Sequence, residues 1–434
     1  MNHKKIKMVI AGLGGRGHDI YSNYGLEHPD EMEVIAIADP RPDRLKIARE
    51  EWGIPEERCY ATAEELFAQE KMADAAVIAT QDQQHVAHAE AALKAGYHLL
   101  LEKPVAVDIK GCLTVLDLAR KYRKHVVVCH VLRYTPFYNT IQKLIQEGHI
   151  GEVVTIQAME QVGYWHHAHS YVRGNWRRSD ESSPMILAKC CHDMDILIWL
   201  TGKRARFVSS YGNNYLFRKE MAPDGAASRC MNCTIRKDCP YDAVRYYLED
   251  ERTSVNAGRT RWPINVLTPD PTPETVKEAL LTGPYGRCVY YCDNDVVDHQ
   301  VVNIELDDGV TINFTMSAFT ERCYRTIKVM GTRGCIEGNM DDSKLVLHDF
   351  FGNHKEFDLQ VTDGSMAGHG GGDNIMMKQF IELLSSGKED QMLSSIEHSI
   401  ESHLVALLAE ESRLANGQSL PVKIMTTRPT GGLL

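Results

Sequence analysis

The stretch Ile6-Lys7-Met8-Val9-Ile10-Ala11-Gly12-Leu13-Gly14-Gly15-Arg16-Gly17 decides the fold. An apolar run of strand length passes straight into G-x-G-x-x-G, the turn that joins a first strand to a helix in a dinucleotide-binding βαβ unit. Gly12 permits the tight turn out of the strand, Gly14 leaves room for a pyrophosphate to approach the backbone, and Gly17 lets the next helix pack on the sheet. The pyrophosphate would rest at a helix N-terminus, against unpaired N–H groups and the positive end of the dipole. Asp39 closes the second strand, where an acid binds the adenosine ribose. Its carboxylate would repel a 2′-phosphate, so NAD is expected. Arg41 and Arg44 lie near enough to pair with such a phosphate, which leaves NADP as the alternative.

Outward from this turn, nearly continuous apolar runs at 34–38, 75–79, 99–102 and 126–129 alternate with helical stretches such as 44–51 and 88–94, the latter closed by Gly96. Strands buried on both faces read this way, and the pattern predicts a doubly wound parallel Rossmann sheet. Past Gly148 to Gly151 the period changes. Alternating runs at 153–158, 301–306, 310–317 and 326–331, with Asp307-Asp308-Gly309 as a hairpin turn, predict a second, α+β domain around a mostly antiparallel sheet. Helices are expected over 185–200, closed by Gly202, and over 374–386 and 396–416, with a last strand at 420–424. Residues 217–295 form an insertion rich in Pro, Gly, Cys and charge, with few periodic signals. The expected domains are 1–130, for the cofactor, and 131–434, for substrate and oligomer contacts.

Length and composition agree with this division. At 434 residues the chain exceeds one ordinary core, and 43% hydrophobic with 25% charged residues is the composition of a soluble globular protein. A net charge of -11 argues against nucleic-acid or anionic-membrane surfaces. No stretch has the length of a secretory h-region or a membrane span, so the 12 cysteines are expected as reduced thiols in the cytoplasm.

Glu102-Lys103-Pro104 ends the run Leu99-Leu100-Leu101 and so delivers a lysine to the sheet rim at which the dinucleotide would bind. Removing hydride from a carbinol carbon requires the hydroxyl proton to leave too, which calls for a base working near neutral pH. Histidine has that property unperturbed, and lysine acquires it when desolvated or placed beside another cation. His192 lies in Lys189-Cys190-Cys191-His192-Asp193-Met194-Asp195, and Lys189, His192 and Asp195 recur at i, i+3 and i+6 on one broad helix face. On that face Asp195 would orient the imidazole, or bind substrate, while Lys189 reaches the substrate. In Tyr164-Trp165-His166-His167-Ala168-His169-Ser170-Tyr171, continuing to Arg173 and Trp176, aromatic planes interleave with hydrogen-bonding groups as carbohydrate recognition requires. His169, Tyr171, Arg173, Trp176 and Tyr134 are the candidate substrate contacts, together with Asp195.

Taken together, Gly12 to Gly17, Asp39, Thr80 to His85 followed by Ala95-Gly96, Glu102-Lys103-Pro104 and His192 to Asp195 make the chain resemble the glucose–fructose oxidoreductase/inositol dehydrogenase (Gfo/Idh/MocA) family. The resemblance implies a Rossmann domain and a C-terminal domain with a large open sheet that often mediates oligomer contacts, here in a dimer or tetramer. It also implies NAD(P)-dependent oxidation or reduction of a secondary hydroxyl on a sugar, sugar acid or cyclitol. By this resemblance Lys103 contacts substrate and relays protons, and His192 is the acid/base. Gly15, Arg16, Arg44, Thr80, His85, Glu102 and Lys103 join the glycines and Asp39 around the cofactor. One departure matters: many family dehydrogenases carry an aspartate four residues before the histidine, where Ala188 stands, next to Lys189. That departure makes a redox-assisted glycoside hydrolase, with transient oxidation, elimination and hydride return, the first alternative. A non-catalytic sugar sensor is the second.

The insertion adds Cys230-Met231-Asn232-Cys233 and Cys239, a C-x2-C-x5-C spacing, with Cys288 as a fourth ligand. Such a set reads as a structural zinc site pinning a segment poor in core residues. It reads equally as free cysteines in a loop.

Overall fold

A computed structural model describes residues 4–359, 369–386 and 393–423 of the chain. Its first sheet is six-stranded and parallel, in the order β3-β2-β1-β4-β5-β6. The strands are β1 (Ile6–Ala11), β2 (Met32–Ala38), β3 (Cys59–Tyr60), β4 (Ala75–Ile78), β5 (His98–Leu101) and β6 (Val126–Val128). Five of the six match the apolar runs that predicted them, β1 to the residue. Only β3, at two residues, carries no periodic signal.

Side chains alternate across the strands, so each face has its own core. Val9, Ala11, Ala76, Ile78, Leu99 and Leu101 pack against the helices His85–Lys94, Ile109–Tyr122 and Ile396–Leu414. Met8, Ile10, Val77, Leu100 and Val127 pack against Met376, Met377 and Phe380 of the helix Gly372–Ser386. Two helices from the far end of the sequence therefore cover the cofactor sheet, one on each face. Val127 also bridges to Ser395 in antiparallel fashion.

The second sheet is nine-stranded and mixed, ordered β14-β13-β12-β11-β7-β10-β9-β8-β15. It comprises β7 (Val153–Gln161), β8 (Ala205–Asn213), β9 (His299–Leu306), β10 (Thr311–Ser317), β11 (Tyr324–Gly331), β12 (Gly334–Asn339), β13 (Lys344–Asp349), β14 (His354–Asp358) and β15 (Leu420–Pro421). Every pairing is antiparallel except β7 with β10. The turn between β9 and β10 is the expected one, with Asp308 and Gly309 at φ 65° and 80°. The expected last strand is shorter than its run, and Ile424 lies outside the described residues.

Two expectations change. The helix predicted over 185–200 is two helices, Met185–Ala188 and Cys191–Thr201, separated at Lys189 and Cys190. Cys190 has φ −90° and ψ 5°, outside the helical well, so Lys189 leaves the face that a continuous helix would give it with His192 and Asp195. The insertion is not poor in core residues. Cys230, Val244, Tyr247, Leu248, Ile264, Val276, Leu280 and Tyr285 form an apolar cluster of its own, partly supplied by the helix Pro273–Thr282. Among the described residues no helix is long and apolar enough to cross a membrane.

Candidate active site

The glycine turn has the close approaches its sequence implies. Gly12 sits at φ +94°, and a Cβ there would stand 2.3 Å from the Ala79 carbonyl oxygen. A Cβ on Gly17 would stand 1.9 Å from the Gly12 oxygen. At Gly14, by contrast, the nearest atom to an added Cβ is Arg44 Nη1 at 3.8 Å, so the backbone faces open space. These residues fit a dinucleotide pyrophosphate, which needs bare backbone at this point.

Asp39 is buried, and its carboxylate accepts from the Leu13 N–H at 2.7 Å and the Arg41 N–H at 2.9 Å. It thereby ties the glycine turn to the end of β2. Arg44 Nη1 stands 3.7 Å from Asp39 Oδ2, and Arg41 pairs with Asp43 instead.

Arg16, expected at the cofactor, turns inward. Its Nε donates to Glu102 Oε1 at 2.6 Å, and its Nη2 donates to Asp373 Oδ1 at 2.6 Å and to the Tyr21 hydroxyl. Tyr21 donates to the same Glu102 oxygen. Burial opposes ionisation of Glu102, but the Arg16 charge and then the Lys103 charge hold its carboxyl below the ordinary range. The side chains of Arg16 and Glu102 are therefore partners of each other, not of a cofactor. The reason is that Asp373, on the returning helix Gly372–Ser386, places a second carboxylate beside the guanidinium.

His85, also expected at the cofactor, is buried with Nδ1 2.6 Å from the Pro104 carbonyl and Nε2 3.1 Å from the Thr80 carbonyl. The Thr80 hydroxyl lies 2.9 Å from His88 Nδ1. On the other side His403 accepts from the Val105 N–H at Nε2, 2.9 Å, so the proton sits on Nδ1, which faces the Ser399 carbonyl at 2.8 Å. Burial, before any charge, lowers the pKa of His403 and keeps the ring neutral. Two buried histidines on different helices thus grip the backbone immediately after Lys103. Lys103 Nζ then donates across the site to the Ala188 carbonyl at 2.8 Å, the last residue before the helix break.

His192 lies two residues into the second helix piece, nearly buried. Its ring meets His130 edge-on, with centroids 5.9 Å apart, and His130 meets His403 at 5.3 Å. The Lys103 charge acts on both His130 and Cys191. Lys103 and His192 are therefore brought to one place. Asp195 is fully buried, with both its oxygens held by Arg133 at 2.6 Å, so it is not placed to bind substrate.

Lys189 reaches sideways to Glu160, Nζ to Oε1 3.3 Å. Glu160 Oε2 is 2.8 Å from Arg325 Nε, which also pairs with Asp193 at 2.9 Å. Burial first, against the Arg325 charge and with Glu160 repulsion added, pushes the Asp193 carboxyl above the ordinary carboxylate range. Sequence reading missed Glu160 and Arg325 because each sits on an alternating strand whose period assigns it to neither core nor surface. A usable signal was the pair of polar residues, Glu160 and Gln161, closing β7 where the alternation fails.

The expected substrate contacts divide. Trp176 donates from Nε1 to Asp82 Oδ1 at 3.2 Å, and Asp82 also takes the Ser183 hydroxyl, so this ring borders the cofactor rim. Tyr171 packs between His167 and Trp176, next to Asp82 and Glu160. Tyr134 is buried in the second Rossmann core with its hydroxyl on Ser394 Oγ, 2.8 Å, and cannot touch a substrate. His169 stacks on Tyr285 at 4.7 Å and bonds Tyr247 through Nδ1 at 2.6 Å, inside the insertion core. Arg173 is buried too, donating to the carbonyls of Arg287 at 2.7 Å and Tyr241 at 2.8 Å. It anchors the insertion.

The expected zinc site does not form. Among the described residues no group of three or more His, Cys, Asp or Glu side chains is arranged to hold a metal ion. Cys230, Cys233, Cys239 and Cys288 are unpaired thiols. Arg173 Nη2 lies 3.7 Å from Cys230 Sγ, which puts a fixed cation where a metal would need to sit. The apolar cluster around Tyr247 already holds the segment together.

Comparison with known proteins agrees with this geometry. The model of an oxidoreductase family with an NAD-binding Rossmann fold matches residues 6–130, and that family's C-terminal alpha/beta domain matches residues 142–424. The chain is 22% identical over 394 residues to the putative oxidoreductase YteT of Bacillus subtilis (strain 168), covering 86% of this chain and 87% of that one. It is 27% identical over 202 residues to inositol 2-dehydrogenase of Corynebacterium glutamicum (strain R), covering 46% of this chain and 56% of that one. Among solved structures, an oxidoreductase from Agrobacterium radiobacter in complex with NAD+, L-tartaric acid and magnesium shares the fold, with a TM-score of 0.66 at 17% identity over 96% of this chain and 99% of the other.

Proposed function

The chain belongs to the Gfo/Idh/MocA oxidoreductase family, and we propose that it transfers hydride between NAD and a secondary hydroxyl of a sugar, sugar acid or cyclitol. The observation that carries this reading is the Lys103 hydrogen bond to the Ala188 carbonyl, which brings the rim of the cofactor sheet to the helix break just before His192. Gly12, Gly14, Gly17 and Asp39 would hold the dinucleotide, with Trp176 and Asp82 bordering its reactive end. When bound, NAD supplies the hydride acceptor.

The chain's own residues would manage the proton. His192 accepts it from the substrate hydroxyl as hydride leaves the carbon. Lys103, its backbone gripped by His85 and His403, donates a hydrogen bond to the same oxygen and stabilises the developing alkoxide. Lys189, held by Glu160, adds a second cation at the substrate side of the helix break, where Ala188 offers no carboxylate. Tyr171 and Trp176 close the site against water.

Incubation with NAD and a panel of sugars, sugar acids and cyclitols tests the reading. NADH formed in proportion to the oxidised product supports it. Glycoside cleavage without net NADH would replace it with the hydrolase alternative that the alanine at 188 raises. Binding without turnover would replace it with a sensor.

We also propose that the protein assembles as a homo-oligomer through the outer face of the nine-stranded sheet, where Thr155, Phe207, Asn303 and Asn313 line a depression open to solvent. A monomeric mass in sedimentation would refute this assembly.

A further inference from the structure

The aromatic residues of 164–171 separate into two sets. His167 and His169 are buried, whereas Trp165 and His166 are half-buried and meet the insertion. Trp165 stacks on Tyr246 with centroids 5.4 Å apart and planes 17° from parallel. Trp262, from the insertion, stands across this stack, 5.7 Å from Trp165 at 58° and 5.1 Å from His166 at 81°. The three rings make a corner, and Trp262 leaves 46% of its surface exposed. Trp262 also meets His169 edge-on at 5.7 Å, so three rings hold it while nearly half of it stays open to solvent.

The corner adjoins the proposed reaction site. The His166 ring lies 6.1 Å from Tyr171, which borders the site, and 5.1 Å from Trp262, and burial, then the Lys189 charge, holds its pKa well below the ordinary value and keeps it neutral. Trp165 is stacked by Tyr246 and His166, so the open aromatic surface is that of Trp262. With a neutral imidazole and the Lys189 ammonium beside it, that surface suits a pyranose, whose C–H face stacks on an aromatic plane while its hydroxyls take hydrogen bonds. These groups do not suit an anionic or purely apolar partner, because Glu160 already balances Lys189.

We infer that the Trp165–Trp262 corner is a subsite for a second pyranose ring, so that the substrate is a glycoside of at least two rings and not a single sugar. The inference rests on the proposed reaction for the placement of the first ring. One ring lies at Lys103 and His192, and the linked ring extends past Lys189 and His166 onto Trp262.

Saturation-transfer NMR on the full-length protein tests it, with maltose, cellobiose and lactose against glucose and galactose. At least one disaccharide is expected to bind roughly 3- to 10-fold more tightly than its component sugars, the size of one ring stacked on an aromatic face. Saturation should reach the protons of both rings. Trp262→Ala should bring the disaccharide-to-monosaccharide affinity ratio close to one, and Trp262→Phe should retain most of it. Equal affinities in the wild type, no binding by any of the sugars, or a ratio untouched by Trp262→Ala would overturn the subsite. The outcomes separate from those of the reaction itself. Disaccharide preference without NADH formation would refute the dehydrogenase, and NADH formation with an unaltered ratio in Trp262→Ala would refute the subsite alone.

Discussion

Around the glycine turn, charged side chains hold one another and leave the backbone facing outward. Around residues 164–177, His167, His169 and Tyr171 are buried in packing, while Trp165 and Trp176 keep part of their rings open. Arg16, Glu102, Asp373 and Asp39 are all engaged within the protein, and the pyrophosphate would be met by peptide N–H groups. Trp165, Trp176 and Trp262 instead offer side-chain surface, each positioned by a different stretch of chain. The contrast follows from the ligands. A pyrophosphate looks alike in every dinucleotide and can be met by invariant backbone, whereas a sugar's identity lies in its hydroxyls and must be met by side chains that differ between proteins.

The sharpest way to break this comparison is at the residues standing between the two regions. Lys103→Ala and His192→Ala should each lower kcat by roughly 10²- to 10⁴-fold, the range for loss of a positioned acid or base, with NAD binding little changed. NADH formation under saturating NAD measures it. Near-normal turnover in either variant would remove that residue from the proton path.

Next comes the interlock on the cofactor side. Arg16→Ala leaves the buried Glu102 and Asp373 carboxylates facing each other without their cation. It should cost about 3 kcal/mol, low in the range for a broken buried pair because Arg16 itself keeps some solvent contact. Chemical denaturation measures this. A loss below about 1 kcal/mol would show that the pair behaves as an ordinary surface bridge.

The aromatic side carries an acid sensitivity of its own. Burial depresses the pKa of His167 to about 4 and of His169 to about 3, below the ordinary 6.5. The unfolded chain therefore takes up protons first as the pH falls. Stability from these rings is complete above pH 6.5 and declines from there toward pH 4. His98, depressed to about 4 by burial, adds the same trend on the cofactor side. Melting temperature followed from pH 7 to pH 5 should fall, and His167→Gln with His169→Gln should make that fall shallower without abolishing it, since burial also lowers His98, His166 and His403. An unchanged slope would show that these two rings contribute nothing to it.

The smallest effect concerns cofactor choice. Asp39→Asn keeps an acceptor for the Leu13 N–H but removes the charge opposing a 2′-phosphate and frees Arg44 to meet one. NAD affinity should fall and NADP affinity rise, each by roughly tenfold or less, the scale of one charge contact. An unaltered preference in paired titrations would show that Asp39 acts only as a fastener of the glycine turn.

Legibility in the sequence follows the same division. The glycine turn, the parallel strands and the position of Lys103 were readable because period, turn residues and order lie close together along the chain. The contacts of Asp195, Arg173, His169 and Tyr134 were not. Each was assigned to the site for its chemistry, and each is held by a partner far away in sequence: Arg133, Arg287, Tyr247 and Ser394. Local pattern says which side chains are capable of recognition. It does not say which are already occupied. The zinc reading failed likewise, since the cysteine spacing was visible but the guanidinium among the thiols came from 57 residues earlier.

The return of Gly372–Ser386 to the Rossmann sheet gives the order of synthesis a meaning. When the ribosome has finished β6, the cofactor half still lacks the wall carrying Met376, Met377 and Phe380, and Arg16 lacks Asp373. One apolar face of its sheet stays open until nearly the whole second half has been made. The nascent protein therefore passes through a long interval in which the dinucleotide site is threaded but not closed, and a chaperone has most reason to hold it there. A fragment cut after residue 130 would inherit that interval permanently.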